Sequence, residues 1–338
     1  MLKTYYVNTL ARNESDAYYA IDSAIRAYRS ECMLYGISVN EIEKILEAYM
    51  IDNPDVWHCC FQFCKTVSDA RGTRVKFTYN EFDEARFREQ LNRILDRIDR
   101  TVGTYADEKR IAKVVYDYLA ENVEADTDAM DAFMRLDRKS ETAVLEFVRK
   151  HSASFCAYGA IVNGKAVCMG LSHAYKLILD SYRVEATSVT GLYDQIPHMM
   201  NVLELNGDRV YVDVSKGGKQ EALPMIRYDA FLVGENRIRR YFEPNHDLNC
   251  LPYSPYCYFS ENGLEFKNGT QLRQYLGSFT YAKTNGDVRF LYSGNVFDDD
   301  DLEKMIGDIV CARCGSEYRV IGYVAQNGIA NCKIAKRD

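Results

Sequence analysis

The chain has 338 residues, of which 47% are apolar and 27% are charged, and its formal net charge is −7 at pH 7. This composition is ordinary for a globular protein and excludes the disordered, collagen-like and coiled-coil classes. The acidic balance argues against nucleic acid as the main partner, because nucleic-acid-binding surfaces need clustered Lys and Arg. The sequence has no apolar run of about 18 residues, so it predicts no membrane span or membrane partner.

The eleven cysteines have no regular spacing, and the chain is large enough to build a hydrophobic core without disulfide bonds. Such cysteine usage is typical of a reducing compartment rather than of a disulfide framework. The first twenty residues lack the uninterrupted apolar core of a signal peptide. We therefore expect a cytoplasmic protein, or a secreted one if a signal has been removed; the sequence predicts no oligomeric state.

The N-terminal part of the chain predicts helices and one hairpin. Apolar periodicity predicts four helices, over residues 15–36, 38–50, 82–101 and 106–122. The second opens on the capping-box spacing of Ser38 and Glu41. The runs VWHCCFQFCKTV and TRVKFTYN flank the polar loop SDARG and predict a β-hairpin. Residues 124–142 are charged and weakly periodic, which predicts a loop.

A short helix is predicted over 142–151, and the pattern turns helical again from Cys168. Strand-like runs follow at EATSVTGLY, MMNVLEL and RVYVDVS, the last two joined by Asn206-Gly207, a strong hairpin signal. Beyond residue 217 we expect an irregular α+β region with a short helix near 240, strands around 255–270, a helix at 300–308 and two terminal strands. No Pro-rich or Gly/Ser-rich linker divides the chain, so three packed units are predicted: 1–105, 106–216 and 217–338.

Cys168 stands where a run of small and β-branched residues gives way to the helical pattern. The pKa of a thiol falls at a helix N-terminus, where free N–H groups stabilise negative charge. Gly170 would permit close approach of the backbone at this point. A cysteine nucleophile also needs a base, and a group that holds the base in place.

The hairpin after this helix supplies both further groups. If Asn206 and Gly207 form the turn, Asp213 lies opposite Met200. His198 and Met200 share one face because they are two residues apart on a strand. His198 and Asp213 are therefore diagonal neighbours, and the carboxylate would orient the imidazole. A shift of one residue in register would move Asp213 to the other face.

Three segments, VCMGLSHA at 167–174, HMMN at 198–201 and YVDVS at 211–215, resemble the blocks of the transglutaminase-like superfamily of papain-type cysteine enzymes, including its bacterial members. The resemblance implies an α+β fold in which a nucleophile helix packs on an antiparallel sheet. An N-terminal helical and hairpin layer and a C-terminal α+β extension would flank this core. It also implies Cys168 as nucleophile, His198 as general base and then acid, and Asp213 as the residue that orients His198.

The same resemblance implies an oxyanion hole made in part by the backbone N–H of Cys168, with Tyr158 as a candidate side-chain donor. Asn201 would support the site from beside the triad. No cofactor and no metal is implied. The partner would be a protein or peptide substrate, attacked at a peptide or glutamine-type amide through a thioester.

The acyl acceptor is left open by these residues. Water would make the protein a peptidase, amidase or deamidase, and a lysine amine would make it a cross-linking transglutaminase. Animal cross-linking enzymes carry Gly-Gln-Cys-Trp at the nucleophile, where this chain has Ala166-Val167-Cys168-Met169, and the Trp of the second block is Met200. These departures favour hydrolysis. The remaining alternative is a binding or scaffold module with a vestigial triad.

Other cysteines and histidines have simpler interpretations. Cys156 has no following helix in the pattern and is interpreted as core packing. His173 points away from Cys168 on the predicted helix, which favours a surface or capping role. On a strand, the segment HCCFQFC at 58–64 would not face its four ligand-type residues to one side, so it predicts no zinc site. The segment CARC at 311–314 is interpreted as reduced cysteines at a turn between strands.

Overall fold

The computed structural model describes residues 4–104, 106–219, 223, 225–245, 256–277, 287–294, 299–314, 318–324 and 328–336. The fold is α+β, as predicted. Its helices are α1 (Arg12–Arg26), α2 (Val39–Asp52), α3 (Glu84–Val102), α4 (Glu108–Asn122), α5 (Thr127–Met134), α6 (Glu141–His151), α7 (Cys168–Ser181), α8 (Glu235–Ile238), α9 (Tyr258–Glu261), α10 (Gly269–Gly277) and α11 (Asp299–Cys314).

The strands are β1 (Glu31–Leu34), β2 (Lys65–Asp69), β3 (Gly72–Lys76), β4 (Glu124–Ala125), β5 (Lys165–Ala166), β6 (Ala186–Tyr193), β7 (Ile196–Leu205), β8 (Asp208–Val212), β9 (Phe231–Val233), β10 (Phe242–Pro244), β11 (Glu265–Phe266), β12 (Asp287–Tyr292), β13 (Tyr318–Val324) and β14 (Ile329–Lys336). Among the described residues they form sheets in the orders β1-β3-β2, β10-β6-β7-β8-β9 and β11-β12-β14-β13, plus the pair β4-β5.

The central sheet β10-β6-β7-β8-β9 has the register that the sequence predicts. Asn206 and Gly207 form the turn with positive φ angles, and Asn201 pairs with Val212. The predicted strand RVYVDVS is shorter than expected, because β8 ends at Val212. Asp213 instead caps a single 3-10 turn, since its side chain accepts a hydrogen bond from the backbone N–H of Ser215.

Helices cover both faces of this sheet. Leu203 and Val210 lie in a core shared with α4 and α7, whereas Val202 and Tyr211 lie in a second core shared with α1 and α2. Alternate residues of a strand point to opposite faces of the sheet, so β7 and β8 each contribute side chains to both cores. The central strand β7, which carries His198, is therefore held between α7 and the N-terminal helices.

The N-terminal layer differs from its prediction in two places. The first helix ends at Arg26 rather than near residue 36, because Tyr28 adopts a positive φ of 51° and the N–H of Arg29 returns to the carbonyl of Ala24. The following residues form β1, which pairs with β3. The predicted hairpin β2–β3 is present, but its first arm begins only at Lys65, after an irregular segment with a 3-10 turn at Phe61–Phe63.

The sequence predicts a loop over residues 124–142, but this segment contains the helix α5. Asp126 accepts a hydrogen bond from the N–H of Ala129 at 3.1 Å and so caps α5. The helix is short, and tertiary packing rather than its own periodicity stabilises it. In the C-terminal region, α10 was likewise not predicted, and α11 runs through the segment at 311–314, which is therefore helical rather than a turn. Among the described residues, no helix is both long and apolar enough to cross a membrane.

Candidate active site

Cys168 is the first residue of α7. The preceding residue, Val167, has an extended backbone and offers no side-chain cap, so no side chain at the cap position occupies the N–H groups of the first helical turn. The Cys168 side chain is partly exposed and lines a cavity of about 450 Å³. A substrate in this cavity would meet both the thiol and the N-terminal end of the helix.

Close backbone packing fixes where α7 begins. The N–H of Val167 donates to the carbonyl of Ser154 at 2.9 Å. A Cβ atom added to Gly170 would lie 2.4 Å from that same carbonyl oxygen and 2.9 Å from the carbonyl oxygen of Cys156. Only glycine fits at this contact, as the sequence suggested.

His198 and Asp213 form the pair that the hairpin register predicts. The Nε2 atom of His198 lies 2.7 Å from Oδ2 of Asp213, and their side chains are 10% and 2% exposed. The other carboxylate oxygen of Asp213 accepts hydrogen bonds from the hydroxyl of Ser215 at 2.6 Å and from its N–H at 3.0 Å. The carboxylate is thus held on both sides, and the imidazole has one defined orientation.

The thiol of Cys168 is in hydrogen-bonding contact with His198. Burial lowers the pKa of His198, but the charge and hydrogen bond of Asp213, together with the hydrogen bond and charge of Cys168, more than offset it and raise the pKa to about 10. The pKa of Asp213 is lowered: burial opposes this, but His198, Ser215 and Lys216 outweigh it. Since Nε2 is engaged by Asp213, Nδ1 is the ring nitrogen left for Cys168.

Aromatic side chains enclose the imidazole. The ring centroid of Tyr193 lies 5.5 Å from that of His198, and Phe242 approaches edge-on at 6.4 Å. The ammonium of Lys216 lies 3.7 Å from the centroid of Tyr193, within cation–π distance. The rings help to bury the pair of His198 and Asp213.

Asn201 contacts the helix, not the reacting groups. Its Nδ2 donates to the carbonyl of Ser172 at 3.0 Å and to the hydroxyl of Ser188 at 3.1 Å, and the side chain is fully buried. The hydroxyl of Ser172 in turn donates to the carbonyl of Met199 at 3.1 Å. These bonds tie α7 to β7 and fix the helix that carries Cys168 against the strand that carries His198.

Replacing Asn201 with alanine should lower the free energy of unfolding by about 1–3 kcal/mol, because buried hydrogen-bonding groups lose their partner. Urea denaturation followed by circular dichroism measures this change. The matched control is Asn122→Ala: that amide is exposed on α4 and donates to Tyr118 within the same helix. It should change stability by no more than about 0.5 kcal/mol. Unchanged stability in Asn201→Ala would contradict this structural role.

Tyr158 is not where the expected oxyanion donor should be. Its ring stacks on Phe82 with a centroid distance of 4.4 Å and also packs against Trp57 and Phe87. It is 7% exposed and lies outside the described residues that line the cavity of Cys168. The candidate is therefore corrected: the aromatic cluster uses Tyr158 as apolar packing, and the sequence did not show that these distant rings converge.

Gln62, unlike Tyr158, is a polar side chain that lines the cavity of Cys168. It lies in the 3-10 turn before β2 and lines the same cavity as Cys168. Its Nε2 atom lies 2.9 Å from the sulfur of Met169, the residue next to Cys168. A thioether is a weak acceptor, so this amide has donor capacity for a stronger acceptor in the cavity. No local signal marked Gln62, because only the tertiary fold brings it to α7.

The other cysteines and histidines have structural surroundings. Burial raises the pKa of the Cys156 thiol to about 12, and its sulfur lies 3.4 Å from the carbonyl of Ala153, which fits the packing interpretation. His173 is buried rather than at the surface, and burial lowers its pKa to about 4, so the expected surface or capping role is wrong. In the part of the chain that the structure describes, no group of three or more His, Cys, Asp or Glu residues could hold a metal ion.

Comparisons with known proteins add little to this picture. No protein-family model matches the chain, and no curated protein matches it. Among solved structures it is similar to a TGase, at 11% identity over 54% of this chain and 49% of that one, with a TM-score of 0.32. A candidate cysteine protease from Cytophaga hutchinsonii matches at 11% identity over 57% of this chain and 71% of that one, with a TM-score of 0.29.

A candidate protease from Parabacteroides distasonis matches at 7% identity over 82% of this chain and 56% of that one, with a TM-score of 0.25. The chain spans about half the length of the TGase. At these low scores the likenesses do not assign the chain to a family. The function is therefore argued from the geometry of the site.

Proposed function

We propose that this protein is a cysteine-dependent acyl-transfer enzyme that attacks a peptide or glutamine-type amide through a thioester and passes the acyl group to water. One observation carries the proposal: His198 stands between the buried carboxylate of Asp213 and the thiol of Cys168. A nucleophile, a base in hydrogen-bonding contact with it and a group that orients the base are the parts that this chemistry needs.

Each step can be assigned to an atom. The thiol proton of Cys168 passes to Nδ1 of His198, which gives a thiolate–imidazolium pair that the raised pKa of His198 favours, and the sulfur then attacks the carbonyl carbon. The oxyanion that forms accepts hydrogen bonds from the N–H of Cys168 and from Nε2 of Gln62. His198 then donates its proton to the leaving amine, the C–N bond breaks and a thioester remains. Water, deprotonated by His198, attacks the thioester, and the C–S bond breaks to release the acid and restore Cys168.

Selective alkylation tests the proposed nucleophile without knowledge of the substrate. Iodoacetamide near neutral pH should label Cys168 faster than any other cysteine, and His198→Ala should remove that advantage. Peptide mass spectrometry locates the label. Slow, uniform labelling of several cysteines, unchanged by His198→Ala, would contradict the proposal and favour a binding or scaffold module.

Product masses then identify the acyl acceptor. A peptide library incubated with the protein should yield cleaved or deamidated products, as expected when water accepts the acyl group. Cross-linked peptide pairs would show that an amine is the acceptor. Cys168→Ser protein is the control for products that arise without the thiol.

Gln62→Leu should lower kcat by about 10²- to 10³-fold, the usual cost of losing one oxyanion donor, while KM changes little. Leucine keeps the apolar volume but cannot donate a hydrogen bond. Gln62→His retains an N–H donor and should recover part of the loss. Steady-state kinetics on the best library peptide measures both variants, and an increase in KM with unchanged kcat would show that Gln62 only binds substrate.

A further inference from the structure

The cavity beside Cys168 has an unusual wall. The chain has ten methionines. Five of them line this cavity: Met50, Met130, Met134, Met169 and Met199. Thioether side chains are flexible and polarisable, so such a wall adapts to apolar groups of different shapes.

These side chains converge from separate parts of the fold, namely α2, α5, α7 and β7. Met134 stands at the rim and is 62% exposed, whereas Met199 is buried at the base beside His198. Phe61, Phe133 and Phe155 line the same space. The volume lies within the range of roughly 300–1,000 Å³ that is usual for ligand sites. The cavity therefore offers a largely apolar binding pocket next to the thiol of Cys168.

Two carboxylates lie in the polar part of the wall. Glu43 and Glu47, one turn apart on α2, bring two carboxylates to the cavity, and the hydroxyl of Thr190 donates to Glu47 at 2.6 Å. The lysine between them, Lys44, pairs with Glu14 at 2.8 Å. Among the described residues that line the cavity there is no Lys or Arg. An apolar wall with a carboxylate edge attracts a cationic group.

We infer that the site recognises a peptide segment with a large apolar side chain next to the reacting carbonyl and a lysine or arginine close by. The inference rests on the proposed function, because that function places the reacting carbonyl at Cys168. The methionine and phenylalanine wall receives the apolar side chain, and the carboxylates of Glu43 and Glu47 pair with the basic residue.

Binding is measured on Cys168→Ser protein, so that recognition is separated from reaction. The probe is the fluorescein-labelled peptide Ala-Lys-Phe-Gln-Ala, and fluorescence anisotropy gives its Kd. Two matched peptides replace Lys with Glu or Phe with Gly. Each should bind at least about 10-fold more weakly, a difference of about 1.4 kcal/mol, because each lacks one of the two recognised side chains. Equal Kd values for the three peptides would overturn the inference.

Variants assign the selectivity to the two parts of the wall. Glu43→Gln/Glu47→Gln should reduce the preference for Lys over Glu to less than about twofold and leave the preference for Phe over Gly unchanged; the amide oxygen at position 47 can still accept from Thr190. Glu89→Gln, which changes an exposed carboxylate paired with Arg93 on α3, is the control and should change neither preference. Met134→Ser removes an apolar side chain at the exposed rim without adding charge, so it should reduce the preference for Phe over Gly and leave the preference for Lys over Glu unchanged.

The two proposals fail in different ways. Selective peptide binding without selective alkylation of Cys168 would leave the recognition site standing and overturn the proposed catalysis. Selective alkylation of Cys168 with no preference among the three peptides would support the proposed catalysis and overturn the proposed recognition site. A preference for Lys that survives Glu43→Gln/Glu47→Gln would place the cation elsewhere and contradict the role of these carboxylates.

Discussion

Cys168→Ser should abolish turnover, with a loss on the order of 10⁴-fold or more, because a hydroxyl cannot replace the thiolate as nucleophile. His198→Ala should cause a loss of similar size, and the double variant should lose no more than either single one. Groups that act as one unit behave in this non-additive way. Product formation from the best library peptide measures all three variants.

The matched control is Cys311→Ser. Cys311 is exposed on α11 and lies outside the described residues that line the cavity of Cys168. Its replacement should change turnover by less than about threefold, because surface-type substitutions away from the reacting groups have small effects. If losses for Cys168→Ser and His198→Ala multiplied in the double variant, the two groups would act independently and the shared proton transfer would be contradicted.

The parts of the site that the sequence predicted are those set by local rules. Asn206-Gly207 fixes a two-residue turn, the turn fixes the register, and the register places Asp213 beside His198. The start of α7 at Cys168 follows from a change in residue pattern, confirmed by the helix bounds. These inferences need only residues that are near in sequence.

The parts that were missed depend on contacts between distant segments. Gln62 and the cavity wall of α5 reach Cys168 only through tertiary packing, and the residues of α5 are too few for a helical period to stand out. Tyr158 is only a candidate oxyanion donor in the sequence, and its ring packs in the core against Phe82 and Trp57, about 75 and 100 positions earlier. A sequence pattern does not show which of several apolar partners a side chain will meet.

Asp213→Asn should lower turnover by up to about 10⁴-fold and also change the pH dependence of the site. In the native protein burial lowers the pKa of His198, but Asp213 and Cys168 together outweigh it and raise the pKa to about 10. Without the charge of Asp213 the pKa of His198 should fall, because only the contribution of Cys168 then opposes burial. Alkylation of Cys168 by iodoacetamide near pH 6 should therefore slow, since less imidazolium stands beside the sulfur.

The same pair makes stability depend on pH. A raised pKa of His198 means that its contribution is complete below about pH 6.5 and is lost as the pH rises towards 10. A lowered pKa of Asp213 means that its contribution is present above about pH 3.8 and is lost in stronger acid. The Tm difference between the native protein and Asp213→Asn should be largest between these limits and shrink towards pH 10.

Asp208→Asn is the matched control for both measurements, because it makes the same change at the other end of β8, beside the turn. It should leave the alkylation profile as in the native protein. A Tm difference for Asp213→Asn that stays constant from pH 5 to pH 10 would show that Asp213 acts only as a cap for the turn at Ser215. The carboxylate would then position the chain without holding charge on His198, and proton transfer from Cys168 would need another explanation.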